Sequence, residues 1–304
     1  MDVSTPTQLP NDPRWPRAGA WLAGGSELPV VDFGVMGVPT SALSLSPSGA
    51  NKTPDAIREA LYRYSTFHAS SGIDLMSLSV QDFGCSFKAS DAEITATFAA
   101  QCAARAHFLT ILGGDNSITY SGMRGVFNQG LGQAGIITFD AHHDLRDGIS
   151  NGSPIRQLIE AGVKGARIVQ IGIADFANSA EYSARARDYG ITVISRAAMR
   201  RRTMSDVIAE ALEIAGTGNA GIYVDVDVDV CDRSVAPGCP ASVPGGLSAD
   251  ELREGVFLVA GDSRVRALDI TEVDATADTA DQRTVRLAAL CVLEAAAGFA
   301  SRSR

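Results

Sequence analysis

Residues 135–148 carry the sequence GIITFDAHHDLRDG, in which an apolar run is followed by Asp140, His142 and Asp144 at intervals of two residues. Successive side chains of an extended chain point to opposite faces, so this spacing sets two carboxylates and an imidazole on one side of a strand end. That set is the outline of a metal site. Taken alone, the fragment also fits a polar strand end that faces water.

A second acidic row favours the metal interpretation. Within IYVDVDVDVCD, residues 222–232, Asp225, Asp227 and Asp229 alternate with valines. Three carboxylates on one face of a strand repel one another, and burying them unpaired is costly. A bound cation is the simplest compensation, so the two rows together predict a divalent metal site.

The pattern around these rows predicts the fold class. Short runs of valine, isoleucine and leucine alternate with helix-like segments, which is typical of a parallel sheet covered on both faces. We expect strands at residues 29–38, 77–84, 108–112, 135–139, 167–173, 191–195, 221–226 and 265–270. The predicted fold is a three-layer α/β/α arrangement around a mainly parallel, about eight-stranded sheet, and ligands of such sheets gather beyond the carboxyl ends of the strands.

The segments between the strands predict helices and one long loop. Pro54 fits a first helical turn with Thr53 as its cap. An alanine-rich helix is expected over residues 91–108 and a closing helix over 281–299, whereas residues 39–54 are expected to be a loop. Since we find no repeat or linker, we expect one domain over residues 1–304, with 1–28 as an N-terminal extension.

Composition excludes several kinds of partner. A formal net charge of −9 and a pI near 5.0 disfavour nucleic acid and anionic membranes, which require a basic face. The N-terminus lacks a basic start before an apolar core, and no apolar run approaches the length of a membrane span. These features predict a cytoplasmic protein. The five cysteines form no regular framework and are expected to be reduced thiols.

Four segments carry a family resemblance. GGDNSITY, FDAHHDLRDG, VDVDVCDRSVAPGCP and DITEVDATAD resemble, in this order, the signature blocks of the ureohydrolase superfamily, which includes arginase, agmatinase and formimidoylglutamase. The likeness covers roughly residues 30–300 and implies an arginase-like fold and a homo-oligomer, a trimer or hexamer. The segments RDGISNGSPIRQLIEAG, NSAEY and APGCPASVPGGL most resemble the formimidoylglutamases, which hydrolyse N-formimidoyl-L-glutamate to L-glutamate and formamide in histidine degradation.

The resemblance implies a site with two Mn²⁺ ions. The matching ligand positions are Asp140, His142, Asp144, Asp227 and Asp229, the last two registered by counting back from the Ala-Pro-Gly at 236–238. Asp225 is left over, and we expect it deeper in the sheet, either hydrogen-bonded or placed directly behind the ligands.

One ligand position departs from the family. Most relatives carry a histidine ligand where this chain has Asn116. An amide oxygen binds a transition metal more weakly than imidazole, so we expect this side of the site to be weak or empty. A direct bond, an intervening water and an empty position all remain open.

The implied chemistry is hydrolysis by a hydroxide shared between the ions. Glu272 matches the carboxylate that grips the substrate's cationic nitrogen group, and Asp144 is the candidate proton carrier to the leaving nitrogen. Arginases place a proton-shuttle histidine after the middle block, where this chain has Asn151. A histidine shuttle is therefore not expected here. His143 is expected to point away from the metals.

Two arginines just beyond the middle block predict a substrate with carboxylates. Arg146 and Arg156 could each bind a carboxylate in bidentate fashion. Each could equally be a surface arginine paired with Asp147 or Glu160. An agmatine-like substrate would require carboxylates there instead, which disfavours agmatinase. The predicted substrate-binding set is Arg146, Asn151, Arg156 and Glu272.

Two other functions stay open on this evidence. One is a different amidine or guanidine hydrolase of the same superfamily. The other is a catalytically silent binding protein in which Asn116 has disabled the site.

Overall fold

The computed structural model of the chain describes residues 12–302. Its strands are β1 (Val31–Gly37), β2 (Phe67–His68), β3 (Ile73–Asp74), β4 (Val80–Cys85), β5 (Ala106–Leu112), β6 (Ala134–Phe139), β7 (Ile168–Ile173), β8 (Thr192–Ser195), β9 (Gly221–Asp227) and β10 (Val265–Thr271). Strands β2 and β3 form a short antiparallel hairpin. The other eight form one sheet in the order β4-β1-β5-β10-β9-β6-β7-β8, with every neighbouring pair parallel. The predicted sheet is confirmed.

Helices cover both faces of the sheet. They are α1 (Ala18–Gly24), α2 (Thr53–Leu61), α3 (Ala92–Ala103), α4 (Ile118–Phe127), α5 (Pro154–Glu160), α6 (Ala180–Asp188), α7 (Arg196–Met199), α8 (Met204–Ala215), α9 (Ala249–Gly261) and α10 (Arg283–Ser301). Two separate apolar cores result, because side chains alternate across each buried strand. Phe33 and Val35 of β1 enter the core under α2, α8, α9 and α10, whereas Met36 enters the core under α3, α4 and α5. The predicted three-layer fold is confirmed.

Two predicted helix ends were wrong. Helix α3 ends at Ala103 instead of continuing to residue 108, because Ala106 and Phe108 are already buried in β5. Helix α2 has Lys52 at its N-cap, and Thr53 makes no capping bond. The Thr53 hydroxyl donates to the carbonyl of Val273 instead. In both places a tertiary contact determines the structure more strongly than the local pattern does.

Part of the predicted N-terminal extension packs on the sheet. Residues 1–11 lie outside the described residues. Helix α1 buries Ala18, Trp21 and Leu22 in the same core as β1, and the Trp21 ring lies 6.3 Å from the Phe33 ring. Residues 18–24 therefore contribute to the core of the sheet.

Helix α10 corrects one expectation about apolar length. Among residues 12–302 it is the one helix long and apolar enough to cross a membrane, with a mean hydropathy of 1.4 in its most apolar window. However, 72% of that window is buried inside the protein. The apolar side chains of α10 face the sheet and α9, which is the pattern of a core helix.

Candidate metal centre and substrate cavity

The polar blocks meet at one edge of the sheet. Strands β5, β10, β9 and β6 are consecutive neighbours, and all run in the same direction. Residues 113–116 follow β5, Glu272 follows β10, Asp227 ends β9, and Asp140 follows β6. The carboxyl ends of four adjacent central strands thus carry the chemistry, as is usual for parallel sheets.

We predicted that alternation along the strands would bring the acidic side chains together. In the structure, turns that follow the strands do so. Strand β6 ends at Phe139, so Asp140, His142 and Asp144 lie in the following loop. Strand β9 ends at Asp227, whose Oδ1 accepts a hydrogen bond from the Asp229 backbone N–H at 2.8 Å. A 3-10 turn over Val228–Val230 then directs Asp229 toward His142.

Three side chains lie close enough together to hold a metal ion. Ligand atoms of Asp140, His142 and Asp229 all lie within 4.8 Å of one another. Nδ1 of His142 is 2.7 Å from Oδ2 of Asp229 and 3.5 Å from Oδ1 of Asp140. Oδ2 of Asp140 is buried and has no hydrogen-bond partner among residues 12–302. An orphaned buried carboxylate oxygen is costly, and a cation would satisfy it, so these residues fit a divalent ion.

The electrostatics of the cluster also fit a cation. Burial, and then the neighbouring carboxylates, raise the pKa values of Asp140 and Asp227 well above the ordinary range. Burial raises the pKa of Asp144 and of Glu272 to about 7. For His142, burial opposes the charged form, but Asp229 outweighs it and raises the pKa to about 9. An added positive charge would relieve the repulsion among all the carboxylates.

Two of the predicted site residues have unusual backbones. Asp144 has φ 54° and Glu272 has φ 63°, both in the left-handed region that non-glycine residues rarely adopt. Such a conformation costs on the order of 1 kcal/mol or more and persists only where surrounding contacts enforce it. Both carboxylates are thereby held at defined points of the site.

Asn116 lies against Asp144. Its Nδ2 donates to Oδ2 of Asp144 at 2.5 Å, and its Oδ1 accepts from the hydroxyls of Thr119 at 2.9 Å and Thr271 at 3.0 Å. Hydroxyls both donate and accept. A half-turn of the amide would therefore keep both threonine bonds while turning Oδ1 toward the ligand cluster.

Asp225 lies deeper than the ligands, where its strand pairs it with Asp269 of β10. Asp269 accepts a hydrogen bond from the Tyr223 hydroxyl at 2.8 Å, but neither oxygen of Asp225 has a donor within the described chain. Asp225 therefore lies behind the ligands, which is one of its two expected environments, with its carboxyl against that of Asp269. Burial and the charge of Asp269 raise the pKa of Asp225 well above normal, since two adjacent buried carboxyls resist ionising together.

A cavity of about 410 Å³ opens above the cluster. Its polar lining includes His142, Asp144, Asp227, Asp229 and Glu272 from the cluster, and Ser46, Arg146, Asn151, Asn178, Ser179 and Tyr182 around them. Sequence reasoning did not assign Ser46, Asn178, Ser179 or Tyr182 to the site. The only signal for the last three was the NSAEY segment, which resembles a subgroup and carries no residue role.

The two candidate arginines occupy different environments. Arg146 lines the cavity, and its guanidinium has no hydrogen-bond or ion-pair partner in residues 12–302. Arg156 lies outside the lining and donates to the carbonyls of Arg146 at 2.7 Å and of Gly148, and to Glu160 at 2.5 Å. Within the described part of the chain, Arg146 is thus an unpaired cation at the cavity, whereas Arg156 holds the adjoining loop.

His143 points away from the cluster. Its Nδ1 lies 2.7 Å from Oε1 of Gln170, and its Nε2 lies 3.3 Å from the Ser183 hydroxyl. Burial lowers the pKa of His143. Both ring nitrogens of His143 thus have polar partners away from the acidic cluster, as predicted.

Comparisons with known proteins agree with this geometry. The model of the arginase family matches residues 31–298. The formimidoylglutamase of Halalkalibacterium halodurans is 38% identical over 273 residues, which are 86% of this chain and 85% of that protein. The crystal structure of Bacillus subtilis formimidoylglutamase superposes with a TM-score of 0.88 at 32% identity, covering 98% of this chain and 96% of that one. Trypanosoma cruzi formiminoglutamase, solved with Mn²⁺, gives a TM-score of 0.85 at 25% identity, covering 95% and 99%.

Proposed function

The chain belongs to the arginase family, and from this premise we propose that it hydrolyses N-formimidoyl-L-glutamate to L-glutamate and formamide. Its relatives of 38% and 32% identity are formimidoylglutamases. The observation that carries the proposal is the unpaired Arg146 on the wall of a cavity whose floor is acidic. A substrate with a cationic amidine at one end and carboxylates at the other matches this charge distribution.

The proposed cofactor is Mn²⁺, two ions per subunit. Asp140, His142, Asp144, Asp227 and Asp229 would hold the ions, with Asn116 beside the weaker position. When bound, such ions lower the pKa of water and so supply a hydroxide nucleophile near neutral pH. The manganese-containing relative and the orphaned oxygen of Asp140 support this assignment.

The side chains of the cavity would orient the substrate and move one proton. Glu272 would bind the amidinium, which places the formimidoyl carbon above the cluster and keeps it electrophilic. Arg146 would bind a carboxylate of the glutamate part. Asp144 would carry a proton from the attacking water to the leaving nitrogen, because its carboxylate lines the cavity beside the other acidic side chains.

The test is a turnover assay with metal-stripped and manganese-restored protein. We expect formamide and glutamate from N-formimidoyl-L-glutamate only after manganese is restored. Urea from a guanidino acid, with no formamide from formimidoylglutamate, would replace the proposal with another ureohydrolase activity. A protein that retains no ion after dialysis against manganese, with an unchanged melting temperature, would instead be a silent binding protein.

Three broader features are part of the same proposal. We propose one domain for the whole chain, a cytoplasmic location and a homo-oligomer of three or six subunits. The resemblance to the arginase family supports the homo-oligomer. Light scattering on the purified protein would distinguish a trimer or hexamer from a monomer of 31.8 kDa.

A further inference from the structure

The two carboxylate oxygens of Glu272 have different surroundings. Oε1 accepts hydrogen bonds from the Asn116 backbone N–H at 2.7 Å and from Nδ2 of Asn151 at 2.9 Å. Oε2 has no hydrogen-bond donor within residues 12–302, and Glu272 lines the cavity. One oxygen is therefore fixed by the protein, and the other is left for a ligand.

Asn151 makes two further hydrogen bonds on its other side. Its Oδ1 accepts from the Leu45 backbone N–H at 3.1 Å, and its own N–H donates to the Leu43 carbonyl at 2.9 Å. Leu45 and Ser46 line the same cavity as Glu272. We call residues 41–46 the roof loop. A single side-chain amide thus connects Glu272 to the roof loop.

The roof loop has a second, independent anchor. Buried Asp115 accepts from the Leu43 backbone N–H at 3.0 Å and from the Ser44 hydroxyl at 3.3 Å. Asp115 precedes Asn116, whose N–H also reaches Glu272. The near end of the roof loop therefore stays attached even if Asn151 is changed, and the bond to Leu45 is the contact that depends on Asn151.

We propose that Asn151 is a positioning residue with two roles. It orients Glu272 so that Oε2 faces the amidinium of the substrate, and it fixes the distance between the roof loop and Glu272. This rests on the proposed function for the identity of the substrate. The role requires one donor and one acceptor on the same short side chain. An aspartate would keep the acceptor for Leu45 but would repel Glu272, and an alanine would provide neither group.

The two halves of this role can be separated with two variants. For Asn151→Ala we expect kcat/KM on N-formimidoyl-L-glutamate to fall about 100-fold, the effect of a small misplacement of a positioning group. Hydrogen exchange at the Leu45 amide should accelerate in the same variant. Asn151→Asp should lose activity to a similar extent but keep the Leu45 amide slow. Manganese retention and melting temperature should match the wild type in Asn151→Asp.

A matched control is Asn219→Ala, which changes an exposed asparagine with no side-chain bond in the described chain. It should alter neither kinetics nor exchange. The proposal is overturned if Asn151→Ala leaves the Leu45 amide slow, or if Asn151→Asp keeps wild-type kcat/KM. If the wild type does not release formamide, the proposed function fails, whereas the exchange result at Leu45 still decides whether Asn151 holds the roof loop.

Discussion

Asn116 donates a hydrogen bond from Nδ2 to Oδ2 of Asp144 at 2.5 Å, so the residue expected to stand in place of a histidine ligand supports a neighbouring carboxylate. The same Asn116 contributes its backbone N–H to Glu272. Asn116 therefore contacts both Asp144, a proposed metal ligand, and Glu272, the carboxylate proposed to bind substrate. A substitution here tests the metal affinity and the site geometry together.

We predict that Asn116→His binds manganese more tightly, by about tenfold or more, which is the scale on which single changes around a metal site alter affinity. The reason is that imidazole is the stronger ligand. Manganese content after dialysis, measured by elemental analysis, checks this prediction. Asn219→His is the control, and equal retention by Asn116→His and the wild type would mean that Asn116 is not beside a metal ion.

The two arginines should respond differently to the same substitution. Arg146→Met is expected to raise KM for N-formimidoyl-L-glutamate about 10- to 100-fold, because a charge-assisted hydrogen bond to a carboxylate is worth about 1.5–3 kcal/mol. Arg156→Met should lower the melting temperature and leave KM nearly unchanged, since Arg156 holds the loop through two carbonyls. Steady-state kinetics and thermal melts on both variants measure this. The reverse pattern would show that Arg156 is the arginine that binds substrate.

The metal-free protein should lose stability as pH rises. Burial raises the pKa of Asp144 from 3.8 to about 7 and that of Glu272 from 4.5 to about 7. A carboxyl whose folded pKa is raised stabilises the folded state below its unfolded pKa, and this contribution is lost as pH rises through the folded value. The free energy of unfolding should therefore fall between about pH 4 and pH 7.

Manganese should reverse this loss, and more strongly at pH 8 than at pH 5, because the metal binds the deprotonated ligands. Chemical denaturation of metal-stripped and manganese-loaded protein at several pH values provides the measurement. A metal-free protein whose stability rises over the same interval would contradict the assignment of these groups as buried, repelling carboxyls.

Gly114 gives a test of the backbone that presents Asn116. A Cβ at this position would lie 2.1 Å from the carbonyl oxygen of Thr40 and 2.8 Å from its nitrogen, both backbone atoms. Gly114→Ala should therefore cost about 1–3 kcal/mol, the usual range for overpacking, and should also lower manganese retention. Gly24→Ala, where a Cβ meets nothing within 4 Å, is the control. If Gly114→Ala has the same free energy of unfolding as the wild type, the backbone at Thr40 can shift to make room for the added Cβ.

The sheet could be predicted from sequence because its information is local. Most of the eight strands are short apolar runs bounded by polar or glycine residues, and such a run has few alternatives once helices separate it from the next. Strand β4 is the exception, because Gln81 and Asp82 interrupt it. The prediction that Thr53 caps helix α2 was wrong because the contact that Thr53 makes is not local. The local pattern fits a cap, but the hydroxyl finds the Val273 carbonyl more than 200 residues away.

The sequence predicts which residues gather at the site but not how the backbone arranges them. Acidic residues in pairs identify ligands, yet the turn that directs Asp229 to His142 depends on a backbone bond to Asp227 that no residue spacing reveals. Likewise, the sequence gives no reason to assign Arg146 and Arg156 different roles. Only the structure shows that Arg156 holds a loop, whereas Arg146 lines the cavity. The roof loop has no periodicity, so nothing in its sequence connects it with Glu272.

The position of β10 has a consequence for how the protein is made. This strand is the last of the sheet to be synthesised, and it pairs with β5 on one side and β9 on the other. While β10 is still inside the ribosome, the nascent chain lacks Glu272, and the edges of β5 and β9 that β10 will pair with are unpaired. The complete sheet and the site therefore cannot form until β10 is available. Chaperones that shield exposed strand edges would act on the chain just before its translation ends.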